Sequence, residues 1–254
     1  MAPYDRSSEE PDEDRLLTVL VTGFGPFQER FPVNPSFEIA QSLPALLPNV
    51  GTEEAIQIIP YGSPIRVCYE DARLLVPALL KSYEGTVDMV LHIGMASGRS
   101  YYAAERFAHR EGYGALKDLD GKTVPTDEAE ECFAECPSLM TTSLGYAALM
   151  KRWRLEVANL PNDSPAHGAD CRASEDAGHY LCDYTYYNSL AWFGRQNQSL
   201  EAGCSADRPV MFLHVPPQSD EKKLAKGRDV AVSLIRAMAA GYTRRGRKEE
   251  QADA

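Results

Sequence analysis

A cysteine, a histidine and a carboxylate lie at the ends of predicted elements in this sequence. Cys182 falls near the start of an aromatic, helix-compatible run at residues 181–192, where the positive end of the helix dipole favours a thiolate over a thiol. His214 lies at the end of an apolar run, and Glu105 follows a glycine-containing turn at residues 94–99. Cysteine hydrolases combine these residue types as nucleophile, base and orienting carboxylate. The sequence therefore contains the parts of a hydrolytic site, provided that the fold brings them together.

Each of these residues also has a structural explanation. Cys182 is small enough for a core position beside tyrosines. A histidine at the end of an apolar strand, such as His214, is often a hydrogen-bonded core residue. Glu105 stands among apolar residues and can form an ion pair with Arg106 or with another cation. Residue type alone leaves both catalysis and core packing open.

Six cysteines are spread thinly along the chain, and no CxxC pair occurs among them. A zinc ribbon or a thioredoxin-type motif is therefore not expected. Cys182 is expected to be the most ionised of the six, because a helix N-terminus and His214 both favour the anion. The other five are expected to stay neutral in buried or acidic surroundings: Cys68, Cys132, Cys136, Cys171 and Cys204.

The elements that must position these residues alternate between strand and helix. Strands are predicted at residues 16–22, 55–60, 87–93, 171–173 and 209–215. Helices are predicted at residues 35–46, 64–82, 143–153, 181–192 and 221–240. This alternation predicts an α/β fold around a mostly parallel sheet, in which ligands bind beyond the carboxyl ends of the strands.

Four local expectations accompany this pattern. Asn34 is a natural N-cap for the first helix, and Ser174 or Asp176 can cap the helix that carries Cys182. The turn-rich segment at residues 111–142 is expected to be a long surface excursion. The loop at residues 23–27 follows the first strand but lacks a phosphate-binding pattern, so its two phenylalanines are expected to wall a small apolar pocket or to pack into the core.

Composition limits the kinds of protein that the chain can be. Its 254 residues are 44% hydrophobic, enough for one large core. The net charge of −11 argues against nucleic acid and anionic membranes as partners. We expect acidic and charged disordered tails at residues 1–15 and 242–254, with a single domain at residues 16–241. Neither a signal peptide nor an 18-residue apolar span is seen, so a cytoplasmic protein is expected.

Four sequence blocks in this chain resemble the pyroglutamyl-peptidase I (pyrrolidone-carboxylate peptidase) family, and its eukaryotic branch in particular. The blocks are TGFGPF at residues 22–27 with NPS at 34–36, GMASGRSYYAAER at 94–106, SEDAGHYLCDYTYY at 174–187 and FLHVPP at 212–217. They occur in the family's order and together cover most of the chain. This resemblance implies a single-domain α/β/α sandwich around a mixed sheet.

The resemblance also implies a function. Members of the family are cytoplasmic cysteine peptidases that hydrolyse the amide bond after an N-terminal pyroglutamate (5-oxoproline) of small peptides and release free pyroglutamate, without a metal or other cofactor. The family's functional positions fall on a catalytic triad of Glu105, Cys182 and His214 and on the substrate-binding residues Phe24, Phe27 and Asn34.

The chain departs from the family pattern in its loops. Gln28 stands where glycine is usual, the loop at residues 28–33 is longer, and residues 158–170 and 194–208 look like insertions. A non-catalytic lactam- or peptide-binding relative is one alternative. A nucleoside phosphorylase- or hydrolase-like enzyme on a related sheet is another, although no phosphate or ribose site is visible. The sequence is compatible with a monomer or a homo-oligomer.

Overall fold

The computed structural model of the protein describes residues 16–49, 54–201, 204 and 206–242. The predicted tail at residues 1–15 lies outside the described residues, as does the other predicted tail beyond Tyr242, the residue that caps the last helix. Within the described residues, no helix combines the length and the apolar character needed to cross a membrane.

Seven strands form one mixed sheet, and two further strands pair separately. The strands are β1 (Leu17–Thr22), β2 (Leu46–Leu47), β3 (Ile56–Pro60), β4 (Met89–Met95), β5 (Tyr102–Glu105), β6 (Phe107–His109), β7 (Leu139–Thr141), β8 (Cys171–Ser174) and β9 (Val210–Val215). The order in the large sheet is β2-β3-β1-β4-β9-β5-β8, and β6 pairs with β7. The five predicted strands are confirmed as β1, β3, β4, β8 and β9.

The centre of the sheet is parallel, and one interior strand runs the other way. β3, β1, β4 and β9 are mutually parallel, whereas β5 is antiparallel to β9 and carries β8 parallel to itself. In the β5–β9 pair, Ala103 lies opposite His214 and Glu105 lies opposite Phe212. The mixed, mostly parallel sheet is therefore confirmed, and its one central antiparallel strand brings Glu105 beside the strand that carries His214.

Helices cover both faces of the sheet. They are α1 (Pro35–Gln41), α2 (Tyr69–Ser82), α3 (Thr126–Cys132), α4 (Tyr146–Ala158), α5 (Leu181–Gln196) and α6 (Glu221–Gly241). Alternate strand residues such as Val19 and Val21 pack in a core with α1, α4 and α6, while Leu20 and Phe212 pack in a second core with α2 and α5. This period-two alternation between two buried faces produces the α/β/α sandwich.

The two N-terminal helices are shorter than predicted. α1 ends at Gln41, and a proline at position 44 disfavours helical backbone at the residue before it. α2 begins at Tyr69, because residues 64–68 form an irregular segment in which Ile65 bridges to Phe24 and the Cys68 N–H donates to the carbonyl of Arg66. The apolar residues of that segment are still buried, so helical spacing of apolar side chains misled the prediction.

The segment at residues 111–142 lies mostly at the surface, as predicted, but it is anchored in the core. It contains α3 and β7 and contributes buried aromatic rings to the core around α5. The Tyr113 ring lies 5.0 Å from the Tyr184 ring, and the Phe133 ring lies 5.0 Å from the Tyr187 ring, both centroid to centroid. The sequence did not predict this anchoring, because the apolar residues concerned are spaced without a helical or strand period.

The start of α5 is also different from the prediction. Its N-cap is Tyr180, which has extended backbone and makes no side-chain capping hydrogen bond. Ser174 ends β8, and Asp176 Oδ1 accepts a hydrogen bond of 2.8 Å from the Gly178 N–H inside the preceding loop. Neither residue caps the helix, so no N-cap side chain occupies the backbone N–H groups of the first turn.

Candidate active site

Cys182 is the second residue of α5, and its sulfur lies against the end of β4. A Cβ atom added at Gly94 would lie 2.9 Å from Cys182 Sγ and 2.6 Å from Phe212 Cζ. Cβ atoms in proteins essentially never approach other nonbonded atoms this closely. Glycine at position 94 therefore provides the space in which the thiol sits.

We expect Gly94→Ala to lower the free energy of unfolding by about 1–3 kcal/mol, the usual cost of overpacking a core. The added methyl group has to displace Phe212, which is fully buried. Urea denaturation of the two proteins measures the difference. Gly98→Ala is the matched control, because a Cβ there meets nothing within 4 Å. Equal stability of both variants would contradict the packing described here.

Glu105 and His214 form a buried hydrogen-bonded pair. His214 Nδ1 lies 2.7 Å from Glu105 Oε1, and the Glu105 side chain has no exposed surface. Because the carboxylate accepts, Nδ1 carries the proton and Nε2 presents a lone pair. The structure thus brings together two of the three residues predicted to act as a triad, with the histidine in the tautomer that a base requires.

Arg99 is the cation that neutralises Glu105. Its Nη1 donates to Glu105 Oε1 at 2.6 Å, and its Nη2 donates to the carbonyl of Asp176 at 3.0 Å. Arg106, the partner considered from the sequence, pairs instead with Glu175 at 2.8 Å. Sequence reasoning missed Arg99, although it closes the glycine-containing turn that leads to β5. This arginine ties the carboxylate to the loop before α5.

The Cys182 thiol is neutral in this arrangement. Loss of hydration raises the pKa of Cys182 to about 12 although the residue keeps some contact with solvent, and the negative charge of Glu105 adds to the rise. The expectation of a preformed thiolate at the helix start is therefore wrong for the resting protein. Any reaction at this sulfur requires a base to take its proton as it attacks.

A cavity of about 310 Å³ lies at this edge of the sheet. Its walls include five of the six predicted site residues: Phe24, Phe27, Asn34, Cys182 and His214. The sixth, Glu105, is hydrogen-bonded to His214 and does not line the cavity. The cavity is open to solvent on one side and large enough for a small ring compound.

The two phenylalanines occupy different environments. Phe24 is 2% exposed, its ring lies 6.1 Å from that of Phe212, and its backbone N–H donates to Ser36 Oγ at 3.0 Å. Phe27 is partly exposed, and its ring lies 6.1 Å from that of Tyr180 across the cavity wall. Phe24 is therefore a core residue that also forms part of the cavity wall. Phe27 and Tyr180 form an accessible aromatic surface, and Tyr180 was not singled out from the sequence.

Asn34 holds the loop that carries both rings. Its Nδ2 donates to the carbonyl of Gly25 at 2.9 Å, and its Oδ1 accepts from the N–H and the hydroxyl of Ser36 at 3.1 and 2.9 Å. The prediction that Asn34 caps α1 is confirmed. Because both lone pairs of Oδ1 are used, Asn34 can offer a ligand only the second N–H of its amide.

The loop after Phe27 reaches the cavity rim. Gln28 lines the cavity, and its Oε1 accepts a hydrogen bond of 2.8 Å from Arg30 Nε. Arg30 Nη2 also lies 3.5 Å from Ser97 Oγ, on the turn after β4. Gln28 and Arg30 therefore connect two loops at the mouth of the site.

Comparison with known proteins identifies the class of enzyme. The family model described as pyroglutamyl peptidase matches residues 17–237. Pyroglutamyl-peptidase 1 of Rattus norvegicus is 32% identical over 81% of each chain, and that of Homo sapiens is 30% identical over the same share of both. The pyrrolidone-carboxylate peptidase of Pyrococcus furiosus is 27% identical over 83% of this chain and 87% of its own.

Solved structures give the same result for the fold. A variant of the pyrrolidone carboxyl peptidase from P. furiosus superposes with a TM-score of 0.66 at 22% identity, covering 88% of this chain and 99% of the other. The fold and the family match together define a cysteine peptidase. The chain belongs to the pyroglutamyl peptidase family.

Proposed function

We propose that this protein hydrolyses the amide bond after an N-terminal pyroglutamate of small peptides and releases free pyroglutamate. The observation that carries the proposal is the convergence of Cys182, His214 and Phe27 on one cavity, with Glu105 hydrogen-bonded to His214. Family membership supports the same activity, since the rat and human relatives are pyroglutamyl-peptidases by name.

The proposed reaction begins at the sulfur. Cys182 Sγ attacks the carbonyl carbon of the pyroglutamyl residue while His214 Nε2 accepts the thiol proton. His214 then gives this proton to the leaving amine, and a pyroglutamyl thioester remains. Water, deprotonated by His214, attacks the thioester and releases pyroglutamate and the thiol. A neutral resting thiol fits this sequence, because proton transfer accompanies the attack.

Two further groups of atoms stabilise charge in this scheme. The Glu105 carboxylate holds the protonated His214 in place, and Arg99 holds Glu105. Backbone N–H groups in the first turn of α5, which no N-cap side chain occupies, are the proposed donors to the oxyanion. Each such donor lowers the barrier by roughly 3 kcal/mol.

The chemistry of the cavity suits a lactam. A pyroglutamyl ring is uncharged at its nitrogen and can lie against the rings of Phe27 and Phe24. A free α-ammonium in the same position would lose its hydration against these rings. Asp176, a carboxylate on the cavity wall, accepts a hydrogen bond from the Gly178 N–H within its own loop. We further propose that the enzyme works in the cytoplasm, where its six unpaired cysteines would stay reduced.

A fluorogenic amide assay tests this function. We expect turnover of a pyroglutamyl amide and none of the glutaminyl amide, its open-chain analogue with a free ammonium group. Tight binding of the pyroglutamyl amide without hydrolysis would favour a non-catalytic relative. Phosphorolysis or hydrolysis of a nucleoside, with no amide cleavage, would instead favour the nucleoside-processing alternative.

Removal of the exposed ring should weaken substrate binding. We expect Phe27→Ala to raise KM for the pyroglutamyl amide by about tenfold, the equivalent of one aromatic contact, with little change in Tm. Phe24→Ala should lower the free energy of unfolding by about 3–5 kcal/mol as well, because this ring is buried in the core. Steady-state kinetics and thermal unfolding measure both effects.

Phe31→Ala is the matched control, since this ring lies on the same loop but does not line the cavity. An unchanged KM in Phe27→Ala would mean that the ring contributes packing alone.

A further inference from the structure

A cluster of two imidazoles and one carboxylate lies beside the cavity without lining it. His109 ends β6, His179 precedes α5, and Asp183 is the third residue of α5. His109 Nδ1 lies 3.1 Å from Asp183 Oδ2, and His179 Nδ1 lies 3.8 Å from the same oxygen. All three candidate ligand atoms fall within 4.8 Å of one another. We propose that this cluster binds a divalent transition-metal ion of the zinc class.

The donor set and its geometry fit that class of ion. Zinc is bound by imidazole nitrogen and carboxylate oxygen at about 2.0–2.2 Å, which puts two ligand atoms of a tetrahedron roughly 3.4 Å apart. The two measured nitrogen-to-oxygen separations lie on either side of that value. The carboxylate is fully buried, whereas the side chains of His109 and His179 are 26% and 48% exposed. An ion can therefore enter from solvent, and water can complete its coordination.

The carboxylate is held by the kind of outer contacts that support metal ligands. The hydroxyl of Tyr113 lies between Asp183 Oδ2, at 2.8 Å, and the carbonyl oxygen of His109, and the backbone N–H of His109 donates to Asp183 Oδ1 at 3.2 Å. Such hydrogen bonds orient a ligating carboxylate before the ion arrives. His109 would bind through the Nδ1 lone pair, with its proton on Nε2.

The backbone makes room for the second imidazole. Gly112 has a φ of +106°, and a Cβ there would lie 2.6 Å from His179 Nδ1. A side chain at this position would therefore be strained and would also push the ring away. His179 is held against the cluster, 4.6 Å from the His109 ring between centroids.

A hydrogen-bonded pair of His109 and Asp183 is the simpler alternative. It explains the 3.1 Å contact, whereas at 3.8 Å His179 is too far from the carboxylate for a hydrogen bond and can form only an ion pair when protonated. Two imidazoles beside one buried carboxylate place three possible ligand atoms within reach of one metal ion. The bound ion would join β6 to the start of α5, one residue after Cys182, and would fix the loop whose residues Asp176 and Tyr180 line the cavity.

The test measures metal binding in a protein that lacks the nucleophile. Full-length Cys182→Ala, freed of metal, is titrated with Zn²⁺ against a chromophoric chelator. We expect one Zn²⁺ site per chain, and an affinity that falls by about tenfold or more in Cys182→Ala/His179→Gln. Zn²⁺ should raise the Tm only of the variants that keep His179. His167→Gln in the same background is the control, because His167 is an exposed histidine hydrogen-bonded to the carbonyl of Leu160.

Several outcomes would overturn the proposal. These are the absence of Zn²⁺ binding at micromolar concentrations, equal affinity in the His179 and His167 variants, and a Co²⁺ complex with a thiolate charge-transfer band. The last result would assign the metal to a cysteine. Circular dichroism of His179→Gln checks that its fold is retained. Since the measurement does not use peptidase activity, it stands or fails independently of the proposed reaction.

Discussion

Cys182→Ala is expected to lower kcat for a pyroglutamyl amide by about 10⁴- to 10⁶-fold, since members of a catalytic triad act as a unit. Alanine removes only the sulfur, which lies in a space already bounded by Gly94 and Phe212. The fold should therefore persist, and free pyroglutamate should still bind between the phenylalanines. Steady-state kinetics measures the loss of turnover. Calorimetric binding of free pyroglutamate shows whether the binding site is retained.

Cys132→Ala is the matched control for this variant. Cys132 is also partly exposed, but it lies at the end of α3 and does not line the cavity. Full activity is expected there. Substantial turnover by Cys182→Ala would remove the nucleophile from the proposed mechanism, whatever the remaining residues do.

His214→Ala is expected to have the second largest effect, a loss of about 10⁴-fold or more in kcat. The resting thiol is neutral because burial and Glu105 raise its pKa, so attack depends on a base within reach. Without the imidazole, the sulfur keeps its proton at neutral pH. The variant also leaves Glu105 and Arg99 as an ion pair, so the buried carboxylate is not stranded.

The measurement compares kcat with the rate at which iodoacetamide alkylates Cys182. His167→Ala serves as the control, because it removes an exposed imidazole remote from the cavity. If His214→Ala kept a kcat within tenfold of the parent enzyme, roughly a 1.4 kcal/mol change in barrier, another group would have to be the base.

The sequence allowed much of this fold to be predicted, for a physical reason. Strands such as Leu17–Thr22 and Val210–Val215 are buried on both faces, so they appear as unbroken apolar runs. β5 was not predicted because the strand has only four residues and ends in a charged side chain. β5 runs antiparallel to β9 because of the path that the chain takes between the strands. That path leaves no local pattern in the sequence.

The site was predictable by residue type and less so by environment. Cys182, His214 and Glu105 were selected from the sequence because few other side chains perform the chemistry proposed for them, and the structure places Glu105 against His214 and both Cys182 and His214 on one cavity. Arg99 gave no signal, since an arginine in a turn is ordinary until the fold brings Glu105 to it. The predicted protonation state of Cys182 was wrong. A helix start can be recognised in the sequence, but the loss of water around the sulfur and the approach of Glu105 depend on packing.

The pairing of β5 with β9 has a consequence for how this chain can change length. Ala103 faces His214 and Glu105 faces Phe212, and successive side chains of a strand point to opposite sides of the sheet. One residue gained or lost within β5 would turn the carboxylate away from the imidazole and toward the opposite core. In a loop, a change of one residue does not turn the following side chains to the other face of the sheet. Insertions and deletions among related chains should therefore accumulate in segments such as residues 28–33 and 158–170, while the four residues of β5 stay constant in number.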